Sequence, residues 1–109
     1  MPSYMIQASY TPASIAGFVN KPTDRTEVIK KLAKKVGGKL VGAWLSFGEY
    51  DAVIIMEGSD NVNAAACAMA VTASGAFTKF KTTPLLTAAE GLAAMKKAAN
   101  LEYTPPPGA

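Results

Sequence analysis

The run Gly48-Glu49-Tyr50-Asp51 brings together more reactive groups than any other stretch of this chain. A carboxylate there could serve as a general base, and a phenol could donate a hydrogen bond to a developing oxyanion. The same residues also have a plain structural reading. Gly48 supplies a turn torsion, Tyr50 packs its ring, and Asp51 accepts backbone hydrogen bonds where a strand begins. Spacing constrains the chemical reading, because consecutive residues of a strand point to opposite faces. Tyr50 and Asp51 enter one sheet-face pocket only if the strand is irregular there; otherwise Glu49 or Tyr10 is the partner of Tyr50. Tyr4, Tyr10 and Trp44 fall in the neighbouring predicted strands. The candidate ligand-binding set is therefore Tyr4, Tyr10, Trp44, Glu49, Tyr50 and Asp51.

Pro2 opens a second enzymatic reading. Loss of Met1 would leave a secondary amine at the N-terminus, the general base of tautomerases of a related βαβ design. This chain is similar to them only in that start. Other chemistries lack their groups. There is no histidine, which removes Ser-His-Asp and Cys-His machinery and the commonest metal ligand. The single cysteine, Cys67, lies in an alanine-rich run and reads as a small buried thiol. Asp24, Glu49, Asp51, Glu57 and Asp60 are scattered without ligand-like spacing, so no metal is expected. Gly37-Gly38-Lys39 ends a helix, whereas a phosphate loop begins one. No Rossmann or iron–sulfur signature is present, and no cofactor is expected.

The elements that must position these groups follow from periodicity. Ser3–Tyr10 alternates with period two and reads as a half-buried strand. Thr11-Pro12 breaks it, and Ala13–Lys21 reads as a loop or short helical turn. Asp24-Arg25-Thr26-Glu27 has capping-box spacing and opens a helix with Val28, Ile29, Leu32, Ala33 and Val36 on one face. Gly37-Gly38 closes it. Lys39–Phe47 and Tyr50–Glu57 read as a hairpin around Gly48-Glu49. Asp60 caps a helix running to about Ser74, Phe77–Thr83 is a fourth strand, and Thr87 with Glu90 opens a terminal helix to about Asn100. The order is that of an α+β, ferredoxin-like βαββαβ fold with a C-terminal helix. Residues 1–102 form one domain, and the proline-rich tail 103–109 is an extended arm or disordered.

With the hairpin in place, Phe47-Gly48-Glu49-Tyr50-Asp51-Ala52-Val53 resembles the signature of the GYD domain family, small proteins of bacteria and archaea. Tyr4 to Tyr10 followed by Thr11-Pro12, then Gly37-Gly38-Lys39-Leu40, then Glu57 after the third strand, fall in matching places over roughly residues 3 to 95. The resemblance implies a ferredoxin-like fold of the dimeric α/β barrel type. It implies no catalytic residues, because the family offers none to carry over.

Composition bounds the rest. At 109 residues, half of them hydrophobic and 17% charged, the chain is long enough for one modest core. Much of the apolar count is alanine, which buries little area. The net charge of +3 is local, since Arg25, Lys30, Lys31, Lys34, Lys35 and Lys39 sit together. No aromatic residue interleaves with them, so nucleic acid is not expected as a partner. No signal-peptide pattern or membrane-spanning stretch is evident, and a lone cysteine fits a reducing, cytoplasmic setting. The sheet's uncovered face is expected to carry Tyr4, Ile6 and Tyr10 and to pair with a second copy, giving a dimer or a ring of dimers. Two functional readings remain. One is an oligomer that binds a small, mostly apolar molecule between sheet and helices; the other is a cofactor-independent enzyme acting on a small carbonyl or phenolic compound through Tyr50 and an acid.

Overall fold

The computed structural model describes residues 2–108. Met1, whose removal the Pro2 reading requires, and Ala109, the last residue of the tail, lie outside the described residues. Strand β1 (Ser3–Tyr10) runs through the middle of the sheet. It pairs antiparallel on one side with β3 (Ala52–Glu57) and on the other with β4 (Phe77–Leu85). Strand β2 (Lys39–Leu45) adds to the outer edge of β3, giving the order β2-β3-β1-β4. Helices α2 (Thr26–Lys35) and α3 (Asn61–Ala73) are the two crossovers of the βαββαβ order. The fold class is as expected: α+β, ferredoxin-like, with a C-terminal helix α4 (Ala88–Ala98).

The sheet's two faces are assigned opposite to expectation. Tyr4, Ile6 and Ala8 are buried beneath the helices and join Ala33, Met56 and Ala64 in the core. The uncovered face instead carries Met5 and Gln7. Register sets Met5 opposite Ile55 and Thr83, and Gln7 opposite Val53 and Lys81. Alternation fixes which residues share a face, but the helices decide which face is buried. The stripe Val28, Ile29, Leu32 and Ala33 needs an apolar floor, and Tyr4-x-Ile6-x-Ala8 is the more apolar of the two. No large side chain is fully buried among the described residues. The alanine-rich core is correspondingly thin, with each buried Ile or Met contributing about 1.5–3 kcal/mol.

Three local expectations are corrected. The stretch read as a loop or short helical turn is a full helix, α1 (Pro12–Asn20). Thr11 is its N-cap, its hydroxyl accepting from the Ser14 N–H at 3.1 Å, and Pro12 fills the first turn, where a missing N–H costs nothing. The capping box at Asp24 does not form. Asp24 accepts from the Thr26 N–H and hydroxyl, and α2 begins one residue later, with Arg25 at the N-cap and no side-chain cap bond. The hairpin strands are shorter than read. β2 stops at Leu45 and β3 starts at Ala52, so residues 46–51 are loop.

Helix termini otherwise follow the sequence. At the end of α2 the Gly38 N–H donates to Ala33 and the Gly37 N–H to Lys34, and Gly37 has φ +74, a left-handed conformation that glycine adopts at little cost. Asp60 caps α3 by accepting from the Asn63 N–H. Thr87 and Glu90 form the reciprocal capping box of α4. Yet α4 has no buried residue, and Leu92 and Met95 are exposed. The radius of gyration is 17.5 Å, against about 13 Å for a compact chain of this length. The excess belongs to α4 and the tail, which find no cover on their own domain.

Candidate functional site

Alanine-rich elements leave space where larger side chains would close it. Between the helix-facing side of the sheet and helices α1, α2 and α3 lies a cavity of about 390 Å³. Its floor is Ile6, Ala8 and Ile54 with Phe80. Val28 and Leu32, four apart on α2, make one wall, and Cys67 and Val71, four apart on α3, make the opposite one. That spacing keeps each pair on one helix face. Burial pushes the Cys67 thiol above its usual pKa, so it stays protonated and behaves as an apolar wall group. The volume lies within the range of small-molecule sites and equals the share of roughly a dozen waters.

Tyr10, Phe18 and Phe77 form an aromatic cluster at one end of the cavity. The Tyr10 ring stacks on Phe77 at 4.7 Å between centroids and meets Phe18 edge-on at 5.0 Å. Burial raises the Tyr10 phenol above its ordinary pKa; the Arg25 guanidinium pulls it down, and the Asp51 carboxylate pushes it up to a smaller extent. The phenol is thus a protonated donor at neutral pH. Among the described residues, Arg25 is the only charged one that lines the cavity. The two serines that line it, Ser14 and Ser74, donate to the backbone carbonyls of Ala76 and Val71. A shallower groove, open to solvent, follows the outer side of α1 past Pro12, Ile15 and Val19.

Of the six residues singled out in the sequence, Tyr10 alone lines the cavity. Tyr4 shares its face but is core, 3% exposed, with its hydroxyl donating to Asn61 Oδ1 at 2.8 Å. Trp44 stands beside Val53 on the opposite face, its indole lying over Gly42, where a Cβ would collide with the ring. Tyr50 is in the 46–51 loop, with the Lys79 ammonium 6.0 Å from its ring centre. Glu49 is exposed, and its carbonyl accepts from the Ser9 hydroxyl. Asp51 accepts from the Tyr10 N–H at 2.9 Å and donates its own N–H to Ala8, which is the structural role its position suggested. Gly48 has φ +142, a backbone conformation that favours glycine. The loop therefore anchors β1 from the side, and Tyr50 and Trp44 do not share a cavity with Tyr4 or Tyr10.

Sequence reasoning missed Arg25, Phe18, Cys67, Val71, Phe77 and Phe80 as cavity residues. A signal for Arg25 was present: it precedes Val28, Ile29 and Leu32 by three, four and seven positions, and so extends their stripe by one turn. Among the described residues there is no cluster of three or more potential metal ligands, and no helix is long and apolar enough to cross a membrane.

Comparison with known proteins adds three findings. The model of the GYD domain matches residues 4–95. No curated protein matches the chain. Among solved structures, the chain is similar to one described as "crystal structure of FFRP-DM1", at 16% identity and a TM-score of 0.48, covering 79% of this chain and 100% of that one.

Proposed function

This chain belongs to the GYD domain family, and from that premise we propose that it is a binding protein whose cavity between sheet and helices takes a small, mostly apolar molecule. The observation that carries the reading is the cavity itself: about 390 Å³, walled by aliphatic and aromatic side chains, in a domain whose core is otherwise thin. A void of that size forfeits dispersion contacts on every wall, and an apolar occupant restores them. The enzymatic alternative has less support. Tyr50 lies outside the cavity, and Asp51 is engaged by backbone groups on β1. Pro2 lines neither hollow, and its carbonyl accepts from the Gly58 N–H.

The working form is a homo-oligomer, a dimer or a ring of dimers, in the cytoplasm. Its support is apolar material left without cover, Trp44 and Leu45 on β2 and Leu92 and Met95 on α4, with the half-buried Val53 of β3 beside Trp44. The single buried thiol suits a reducing compartment.

The test of the binding reading is titration of the purified protein with a neutral apolar fluorophore such as Nile red, in the native chain and in Val71→Phe. Val71 is half-buried on the cavity wall, so the larger ring fills the space. One probe per chain is expected to bind, with affinity at least tenfold weaker in the variant and a melting temperature equal or higher. Unchanged affinity in a folded variant would contradict the reading.

A further inference from the structure

We infer that the occupant of this cavity is an amphipathic monoanion, a compact apolar body carrying one carboxylate, with the carboxylate held by Arg25 beside Tyr10. The inference rests on the binding reading above and names the ligand class that reading leaves open. An apolar chamber needs no charge to hold a neutral hydrocarbon. Among the described residues, this one has a single charged side chain in its lining, and it is a guanidinium, whose planar fork matches a carboxylate in two parallel hydrogen bonds.

The electrostatics at that end agree. Two charges of opposite sign act on the Tyr10 phenol, Arg25 and Asp51, and Arg25 has the larger effect. The Asp51 carboxylate is held against the Tyr10 N–H and does not line the cavity. The Tyr10 phenol lines the same cavity as Arg25 and is a second donor for the same anion. The cavity serines do not compete for the role, because their hydroxyls donate to the backbone. Among the described residues, the side chain of Arg25 makes no capping hydrogen bond. Arg25 stands at the N-cap of α2, where serine, threonine, asparagine or aspartate would stabilise the helix better. Arg25 is itself exposed, as are Lys30, Lys31, Lys34 and Lys35 of α2, but Arg25 lines the cavity and these four lysines do not.

Octanoate and 1-octanol, which share a tail and differ in charge, separate this inference from the reading beneath it. Calorimetric titrations at pH 7 use the full chain, Arg25→Gln, Arg25→Lys and, as a control for the neighbouring lysines, Lys34→Gln. Octanoate is expected to bind at least tenfold more tightly than 1-octanol. Arg25→Gln removes that advantage chiefly by weakening octanoate, Arg25→Lys restores part of it, and Lys34→Gln has no effect. Equal affinities for the two probes, insensitive to Arg25→Gln, would overturn the anion inference and leave the apolar site standing. Loss of octanoate binding in Lys34→Gln as large as in Arg25→Gln would also overturn it. Failure of both probes to bind the native chain at millimolar concentration would overturn the inference and the binding reading together.

Discussion

Tyr10 meets two demands, closing the aromatic end of the cavity and keeping its hydroxyl protonated in a partly buried place. Its pKa is raised on folding, chiefly by burial, so the unfolded chain gives up this proton first as the pH climbs. The resulting stability is complete below the ordinary phenol value of 10.0 and is lost as pH rises through the higher folded value. Absorbance titration should show a late tyrosine ionisation, and Tyr10→Phe should remove that late step. Thr82 poses a different problem. Its hydroxyl oxygen is buried without a hydrogen-bond partner, in register with Ile6. Thr82→Val keeps the shape and removes the unpaired group, so denaturant unfolding should show a gain of about 1 kcal/mol. Core and surface also separate at this scale. Ile6, 5% exposed, should cost about 2–5 kcal/mol on truncation to alanine. Trp44, 55% exposed, should cost only about 1 kcal/mol, since half its area never leaves water. An Ile6→Ala loss no larger than that of Trp44→Ala would reverse the assignment of the two faces.

Segments whose pattern is carried by their own side chains were legible at the scale of elements. β1, α2, α3 and α4 sit within a residue or two of where alternation, helical stripes, Asp60, Thr87 and Gly37 put them. The errors have a common physical origin, that local signals compete. Thr11-Pro12 ends a strand and starts a helix with equal economy, and the second meaning was read only as far as a short helical turn. Gly48-Glu49 looked like a tight hairpin turn, but the regular ladder ends at Leu45 and Ala52: the Ser46 N–H still donates to the Asp51 carbonyl, while the Asp51 N–H and carboxylate turn to β1. Of the site, the apolar walls were legible only as core, because a helix stripe facing a void looks the same as one facing side chains. Neither burial by tertiary partners nor the empty volume has a sequence period. α4 gives a direct test of how independent the elements are. Its capping box holds it, but nothing buries it. Thr87→Ala should therefore lower helix content measured by circular dichroism while leaving the main melting transition in place. Glu90 has its pKa lowered by the Thr87 backbone and side chain. The stability this gives is present above the unfolded carboxyl value and fades as pH falls through the lower folded one, so α4 should fray first on acidification.

The whole molecule is a four-stranded sheet with helices on one side, an apolar chamber beneath them, and an uncovered face and terminal helix on the outside. The exposed apolar residues account for the expected self-association. Light scattering at micromolar concentration should give a multiple of the 11.3 kDa chain mass, and Ile55→Lys on the uncovered face should reduce it to the single-chain value without unfolding. A native chain that stays at 11.3 kDa as concentration rises would contradict the oligomer. The chamber is the central claim, and methyl-labelled nuclear magnetic resonance during titration with 1-octanol tests it most directly. The account predicts saturable shifts at the methyl groups of Ile6, Val28, Leu32 and Val71, with Val41, Leu45 and Val53 unmoved. Shifts confined to the Trp44 face, or none at saturating probe, would contradict it.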